Sequence, residues 1–327
     1  MKRKGWVLVG VLVLALLGAQ GTTALASNRP PGPIAQRSAS HELTGVHVFG
    51  WEFNSPAALA VSGSDLFVAN SKGNSVTELI AATGKLVRMI SGSSYKFDYP
   101  YALAVSGNDL FVANLDGDSV TELVAATGKL VRMISGSSYK FDYPYALAVS
   151  GNDLFVANGS SDSVTELVAS TGALVRVISG SSYEFNSPSA LAVSGNDVFV
   201  ANFDGDSVTE LNAATGALVR VISRGSDEFF SPSALAVSRS DLFVANADGY
   251  SVTELAASTG ALVRWISRSS YAFKHPSALA VSGSDLFVAN FDGDSVTELD
   301  AATGALVRVL RARLVALDSF HEYHTTS

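Results

Sequence analysis

The chain has 327 residues, of which 47% are apolar and 16% are charged, and its formal net charge is −8. This length and apolar content predict a folded protein with a large core and exclude a disordered chain. The acidic charge argues against binding to nucleic acid or to an anionic membrane surface. The chain contains no cysteine, which excludes disulfides, thiolate metal ligands and cysteine nucleophiles.

The first 26 residues have the pattern of a secretory signal peptide. Residues 2–4 are basic, residues 6–17 are an apolar run, and Ala24 and Ala26 supply the small residues of a cleavage site. The run is shorter than the ~20 residues of a membrane-spanning helix. We therefore expect cleavage near Ala26 and no membrane insertion afterwards, with an uncleaved anchor as the alternative. Cleavage would remove three positive charges and leave a secreted, extracellular chain with a net charge of −11 in place of −8.

Six prolines divide the rest of the chain into units of 44 residues, which begin at positions 56, 100, 144, 188, 232 and 276. Each unit reads P-x-A-L-A-V, a turn, L/V-F-V-A-N, a turn, S-V-T-E-L, a T-G turn, then L-V-R. These are four short β-prone runs joined by tight turns, and none has helical periodicity. The pattern predicts an all-β, six-bladed β-propeller with four antiparallel strands per blade. The predicted domain spans 42–310, between a flexible proline- and serine-rich lead-in at 27–41 and a tail at 311–327.

The strands are expected to run from the axis to the rim, because the first two are apolar and the last two carry charges. The phenylalanine three residues before each proline should fill the gap between neighbouring blades. These residues are Phe53, Phe97, Phe141, Phe185, Phe229 and Phe273. Residues 42–54 resemble the end of a preceding unit, so they could pair with the last blade and help to close the ring.

The order P-x-A-L-A-V, D-L-F-V-A-N, S-V-T-E-L, T-G-x-L-V-R, F-x-x-P resembles NHL repeats, and its middle part is similar to YVTN-type propeller repeats. The resemblance covers residues 42–310 and implies a bacterial secreted β-propeller. It implies little about function, because these propellers include binding scaffolds, sensor ectodomains and a few enzymes.

Three blades carry an N-x-D-G-D turn whose alternating carboxylates suggest Ca²⁺. The spacing does not match a calcium loop, and Asp-Gly is a preferred hairpin pair, so we predict turns, with no metal and no cofactor. The carboxylates concerned are Asp116, Asp118, Asp204, Asp206, Asp292 and Asp294. The asparagine that ends each V-A-N run is interpreted as a turn-capping residue.

Catalysis requires different residues in different roles, whereas a repeat supplies the same residue six times. The repeated Glu and Arg of the outer strands, such as Glu78 and Arg88, are interpreted as exposed cross-strand pairs. His275 is the one histidine inside a repeat and is interpreted as ordinary surface. The sequon at Asn158 is treated as chance. We therefore predict no enzyme; the alternative is a propeller lyase or lactonase-like enzyme with an axial site.

Tyrosines flank the opening proline of blades two and three, where the other blades have Ser, Ala or His. A tyrosine ring combines a rigid apolar face with a polar tip and is common in binding surfaces. The alternative is that these rings only fill space between crossovers. The candidate ligand-binding residues are Tyr99, Tyr101, Tyr143, Tyr145, Lys96, Lys140 and His275.

We thus expect a secreted, monomeric and non-enzymatic binding or scaffold module. Its expected partner is a protein or a cell-surface glycan, bound at the tyrosine-bearing crossovers of blades two and three.

Overall fold

The computed structural model describes residues 53–223 and 229–311. These residues form six four-stranded antiparallel sheets, one per repeat, in which each strand pairs with the next one in sequence. Every first strand begins at the proline that opens its unit. The prediction of a six-bladed β-propeller is therefore confirmed. The leader, the lead-in, residues 42–52 and the tail after Arg311 lie outside the described residues.

The blades are numbered in chain order. Blade one comprises β1 (Pro56–Ser62), β2 (Asp65–Asn70), β3 (Ser75–Ile80) and β4 (Leu86–Ser91). Blade two comprises β5 (Pro100–Ser106), β6 (Asp109–Asn114), β7 (Ser119–Val124) and β8 (Leu130–Ile134). Blade three comprises β9 (Pro144–Ser150), β10 (Asp153–Asn158), β11 (Ser163–Val168) and β12 (Leu174–Ile178).

Blade four comprises β13 (Pro188–Ser194), β14 (Asp197–Asn202), β15 (Ser207–Asn212) and β16 (Leu218–Ser223). Blade five comprises β17 (Pro232–Ser238), β18 (Asp241–Asn246), β19 (Ser251–Ala256) and β20 (Ala261–Ile266). Blade six comprises β21 (Pro276–Ser282), β22 (Asp285–Asn290), β23 (Ser295–Asp300) and β24 (Leu306–Arg311). Single-turn 3-10 helices at Ser181–Tyr183 and Ser269–Tyr271 lie in two of the crossovers between blades.

The turn chemistry explains why each unit forms a sheet. In blade two, Ser106 pairs with Asp109, so the β5–β6 loop has two residues, and the first is Gly107 with a φ of 58°. That left-handed backbone is the one that a tight hairpin needs, and glycine adopts it without strain. No helix in residues 53–223 and 229–311 is long and apolar enough to cross a membrane.

The cores lie between blades, as the phenylalanine pattern predicts. Phe97, for example, packs in one cluster with residues of both blades one and two. The full cluster contains Phe67, Val76, Ile90, Phe97, Leu110, Val112, Leu123 and Ala125. Equivalent clusters join each later pair of consecutive blades up to blade six. Each blade therefore buries its faces only against its neighbours, which is why identical copies can be stacked.

The predicted cross-strand pairing of Glu and Arg is confirmed, but the prediction that these pairs are exposed was wrong. The Glu78 side chain is 1% exposed and lies 2.9 Å from Arg88, measured from Oε2 to Nε. Arg88 also donates from Nη2 to the carbonyl oxygen of Ala126 in the next blade, at 3.0 Å. The glutamate lies on the third strand, which neighbouring blades cover. The Glu–Arg pair is therefore part of the contact between two blades. Burial raises the pKa of Glu122 to about 6 and that of Glu254 to about 7, against the lowering effect of their arginines.

The asparagine that ends each V-A-N run bridges the turn between the second and third strands of its blade, as expected of a turn-capping residue. These asparagines are buried. Asn114 donates from Nδ2 to Ser119 Oγ at 3.2 Å and to Thr121 Oγ1 at 3.0 Å. Asn158 is 0% exposed and makes the same bonds, so its sequon has no accessible amide in the folded chain.

Candidate functional site

The crossovers between blades and the turns between second and third strands lie on one face of the propeller. Each of these turns is hydrogen-bonded to the crossover that leads into the next blade. The residue before each proline has a positive φ, 55° at Tyr99 and 54° at Tyr143. Its backbone N–H donates to the side chain of the preceding blade's turn. Tyr99 donates to Asn74 Oδ1 at 2.9 Å, and Tyr143 donates to Asp118 Oδ1 at 3.0 Å. A strained backbone is thus fixed by an interblade bond.

Two of the six carboxylates of the N-x-D-G-D turns, those of Asp118 and Asp206, make these interblade contacts. Asp206 accepts from the Ser231 N–H at 2.7 Å, in the same way that Asp118 accepts from Tyr143. Asp204 accepts a hydrogen bond from Ser187 Oγ. Burial, together with neighbouring carboxylates, raises the pKa of Asp116. Among the residues that the structure describes, no group of three or more His, Cys, Asp or Glu could hold a metal ion.

The four tyrosines are not equivalent. Tyr101 stacks on Tyr99 with ring centroids 6.4 Å apart and meets Tyr145 edge-on at 5.0 Å. Tyr101 lies deep in this group, and its burial raises the pKa of its hydroxyl well above the usual range. Tyr143 is 44% exposed. The structure therefore brings three rings together across two blades and presents the fourth to solvent.

Blades four and five show what the small residues do at the positions of the inner rings. Ser189 donates from Oγ to the carbonyl oxygen of Pro232 in the next blade at 2.9 Å, and Ser233 does the same to Pro276 at 2.7 Å. Tyr101 and Tyr145 occupy the corresponding positions in blades two and three. There an interblade hydrogen bond of serine is replaced by aromatic packing.

Gly159, which was not among the candidate residues predicted from the sequence, makes room for Tyr145. A Cβ atom at Gly159 would lie 2.8 Å from Tyr145 Cδ2, too close for any other residue without a shift. The sequence carries a signal for this contact, because blade three, which has the second tyrosine pair, replaces the N-x-D-G-D turn by N-G-S-S-D at residues 158–162. Phe203 occupies the position of Gly159 in blade four, where the partner is the small Ser189.

The two lysines are exposed and have left-handed backbones, with φ of 54° at Lys96 and 55° at Lys140. Lys96 lines a groove of ≈ 700 Å³ between blades one and two, together with Asn74, Asp98 and Met133. The lysines therefore lie at the crossovers that carry the tyrosines, with one of them in a concave part of the face.

His275 is separate from the tyrosines and belongs to blades five and six. Its ring is 14% exposed, with Nε2 3.2 Å from Asp248 Oδ1 and Nδ1 3.1 Å from Asp292 Oδ2. The interpretation as ordinary surface was wrong, because the ring connects the turns of two blades. Tyr250 accounts for this different contact between blades five and six. It occupies the position at which other turns have an Asn or Asp that accepts a hydrogen bond from the residue before proline. Its ring contacts that of His275 edge-on, with centroids 6.1 Å apart.

Residues 144–310 match the model of the family described as outer membrane protein assembly factor BamB. This match supports a β-propeller repeat protein, as the resemblance to NHL and YVTN repeats implied, without selecting either of those types. No curated protein sequence matches the chain.

The fold itself is widespread, since 1394 solved chains match it, and such a likeness does not indicate an activity. One match is the computationally designed Ika8 protein, with a TM-score of 0.59 and 21% sequence identity. It covers 75% of this chain and 70% of the Ika8 chain.

Proposed function

The chain belongs to the family of outer membrane protein assembly factor BamB, and from this premise we propose that it is a non-enzymatic binding module whose partner is a protein. The contact surface in this proposal is the tyrosine-bearing crossover face of blades two and three. The observation that carries it is the arrangement of the tyrosines: an exposed Tyr143 stands beside a packed group of Tyr99, Tyr101 and Tyr145.

Preorganisation supports a binding role for this face. Asp118 holds the backbone of Tyr143 at a positive φ, so the position of the ring's attachment is set before any partner arrives. A surface that is already ordered loses little conformational entropy on binding, and aromatic rings supply much contact area for few rotatable bonds. Lys96 and Lys140 are exposed in the crossovers that carry the tyrosines, and they would add polar contacts to the surface.

The family name favours a protein over a glycan as the partner, because it describes a factor that acts in the assembly of outer membrane proteins. The repetition of the fold favours binding over catalysis. Each blade supplies the same side chains, and the departures from the repeat at the crossovers of blades two and three are aromatic rings and lysines rather than a base with its acid. A location outside the cytoplasm, reached through cleavage of residues 1–26, is part of the proposal.

A binding screen with matched variants tests this function. The mature chain is screened against envelope and surface proteins and against a glycan array, and each hit is measured again with Tyr143→Ser and Tyr99→Ser. Blades four and five already carry serine at these positions, so folding should be preserved. Each ring that anchors the partner should cost ~1 kcal/mol or more, a fivefold or greater loss of affinity.

Tyr250→Ser is the control, since Tyr250 is 50% exposed on the same side of the propeller but in blade five. The proposal fails if the tyrosine variants bind the partner as tightly as the parent, or if Tyr250→Ser weakens binding as much as they do. Specific glycan binding that depends on the same tyrosines would support the proposed contact surface but would contradict a protein partner.

A further inference from the structure

Blade five carries two exposed aromatic rings that the other blades do not have at the same positions. Phe230 lies two residues before the opening proline, where the other blades have Asn, Asp or Lys. Trp265 lies on the outer strand β20, where the other blades have Met or Val. Phe230 is 44% exposed and Trp265 is 47% exposed. Both rings are therefore available to a ligand, and neither belongs to the tyrosine-bearing surface of blades two and three.

The corresponding residues of blade two show that these two positions line one groove. Asp98 and Met133 both line the groove of ≈ 700 Å³ between blades one and two. Three 44-residue units further along the chain, the same positions are those of Phe230 and Trp265. The two rings are therefore expected to border the equivalent groove between blades four and five.

The backbone of blade five keeps both positions where blade two has them. Trp265 pairs with the threonine of its S-V-T-E-L strand, as Met133 does in blade two. A Cβ atom at Gly249 would lie 3.3 Å from Phe230 Cβ, and the same measure in blade two is 3.0 Å. The aromatic residues thus change the lining of the groove without changing the strand register or the turn.

Two carboxylates are held next to Phe230. Ser231, the following residue, donates from its backbone N–H to Asp206 Oδ1 and from Oγ to Asp248 Oδ2, each at 2.7 Å. Asp206 occupies the position of Asn74, which lines the groove between blades one and two. The groove between blades four and five is therefore acidic as well as aromatic at its described positions.

An arginine side chain matches both of these features. The faces of aromatic rings attract cations, and the planar guanidinium stacks on them. An occupant that covers the carboxylate of Asp206 also removes it from water, which is costly unless the occupant carries a positive charge. A guanidinium can donate two parallel hydrogen bonds to a carboxylate, whereas an ammonium is a more strongly hydrated point charge. A neutral apolar ligand would satisfy the rings but not the carboxylate.

We infer that the groove between blades four and five binds an arginine side chain of a protein partner. The guanidinium stacks on Phe230 and Trp265 and pairs with Asp206. The site lies outside blades two and three and needs none of the four tyrosines. Only the choice of a protein as the source of the arginine rests on the proposed function.

Binding of an arginine peptide to the full chain tests the site. The probes are a nonapeptide of alternating Arg and Ser and the same peptide with citrulline, a neutral residue of nearly the same shape, in place of each arginine. Titration calorimetry should show that the arginine peptide binds roughly tenfold or more tightly than the citrulline peptide. Equal affinities would overturn the proposal.

Substitutions that leave the charge unchanged separate this site from a general attraction between a basic peptide and an acidic chain. Trp265→Val and Phe230→Asn introduce residues that other blades carry at these positions, so folding should be preserved. Each should weaken binding of the arginine peptide by roughly threefold or more. Met133→Val, a matched change in blade two, should not weaken it. An affinity that neither aromatic substitution changes, or that Met133→Val lowers equally, would contradict the inference.

Asp206→Asn tests the carboxylate while keeping its interblade bond, because Asn74 accepts the same bond from Tyr99 in blade one's turn. It should weaken binding of the arginine peptide more than Asp118→Asn, the same change in blade two. Equal effects of the two variants would assign the attraction to net charge and overturn the role of Asp206.

Tyr143→Ser separates this inference from the proposed function. It should leave the affinity for the arginine peptide unchanged, because Tyr143 lies in the crossover to blade three. If partners depend on Tyr143 but the arginine peptide does not bind, the site between blades four and five is refuted alone. A glycan whose binding is lost in Trp265→Val, without any binding of the arginine peptide, would also overturn it.

Discussion

Blades two and three share a backbone with blades four and five but differ at the two residues beside the proline. In blades four and five, Ser189 and Ser233 donate to the carbonyl of the next proline. In blades two and three, Tyr101 and Tyr145 pack edge to face at 5.0 Å. The strand register is the same in both pairs of blades. The fold therefore leaves these positions free to vary, which makes them suitable for function.

The interblade links that do not vary should contribute equally in the two pairs of blades. Arg132→Ala in blade two and Arg220→Ala in blade four each leave a buried glutamate without its partner. Because an unpaired buried charge is costly, each should lower the free energy of unfolding by roughly 3–5 kcal/mol at pH 8, measured by urea denaturation. Arg308→Ala is the control, with a smaller expected loss because Arg308 is more exposed. Unequal losses in blades two and four would show that the tyrosines change the repeated interblade contacts.

The inner and outer tyrosines should separate stability from binding. Tyr101→Ser removes a ring packed between two others and should cost roughly 2–4 kcal/mol in the free energy of unfolding. Tyr143→Ser removes an exposed ring and should cost less than about 0.5 kcal/mol. Thermal unfolding of both variants, beside the parent, checks the difference. Equal losses would mean that Tyr143 is also a packing residue.

Gly159 and Tyr145 should behave as a coupled pair. Gly159→Phe alone introduces a ring where a Cβ would already lie 2.8 Å from Tyr145, so a loss of roughly 1–3 kcal/mol is expected. Gly159→Phe with Tyr145→Ser recreates the Phe203–Ser189 pair of blade four and should recover most of that loss. A double-mutant cycle from urea denaturation measures the coupling. Additive losses would show that the two positions do not share space.

The buried glutamates should make the protein less stable as the pH rises. Burial raises the pKa of Glu254 to about 7 in the folded chain, from its ordinary value of 4.5. Between these values the folded chain binds a proton that the unfolded chain has released, so the free energy of unfolding falls from about pH 4.5 to about pH 7 and then levels off.

Glu254→Gln should reduce that fall by about 1 kcal/mol, measured by urea denaturation at pH 5 and pH 8. Glu122→Gln, at a site whose pKa is raised only to about 6, should reduce it less. A pH dependence that neither substitution changes would place its origin elsewhere.

Much of the fold was predictable because its causes are local. The proline that opens each unit, the Gly-containing turns and the alternation of short apolar runs act over a few residues, and the 44-residue period repeats them six times. The tyrosine pairs could be identified for the same reason, because they depart from an otherwise regular repeat.

The sequence by itself thus determined the blades, their number and the positions where they differ. Only the tertiary structure decided which of these residues are covered, because burial depends on the neighbouring blade, whose contacting residues lie tens of positions away in sequence. Glu78 is charged and was therefore predicted to be exposed, yet its side chain is 1% exposed in the folded chain. Tyr101 and Tyr143 are both tyrosines beside a proline, yet the first faces another ring and the second faces solvent.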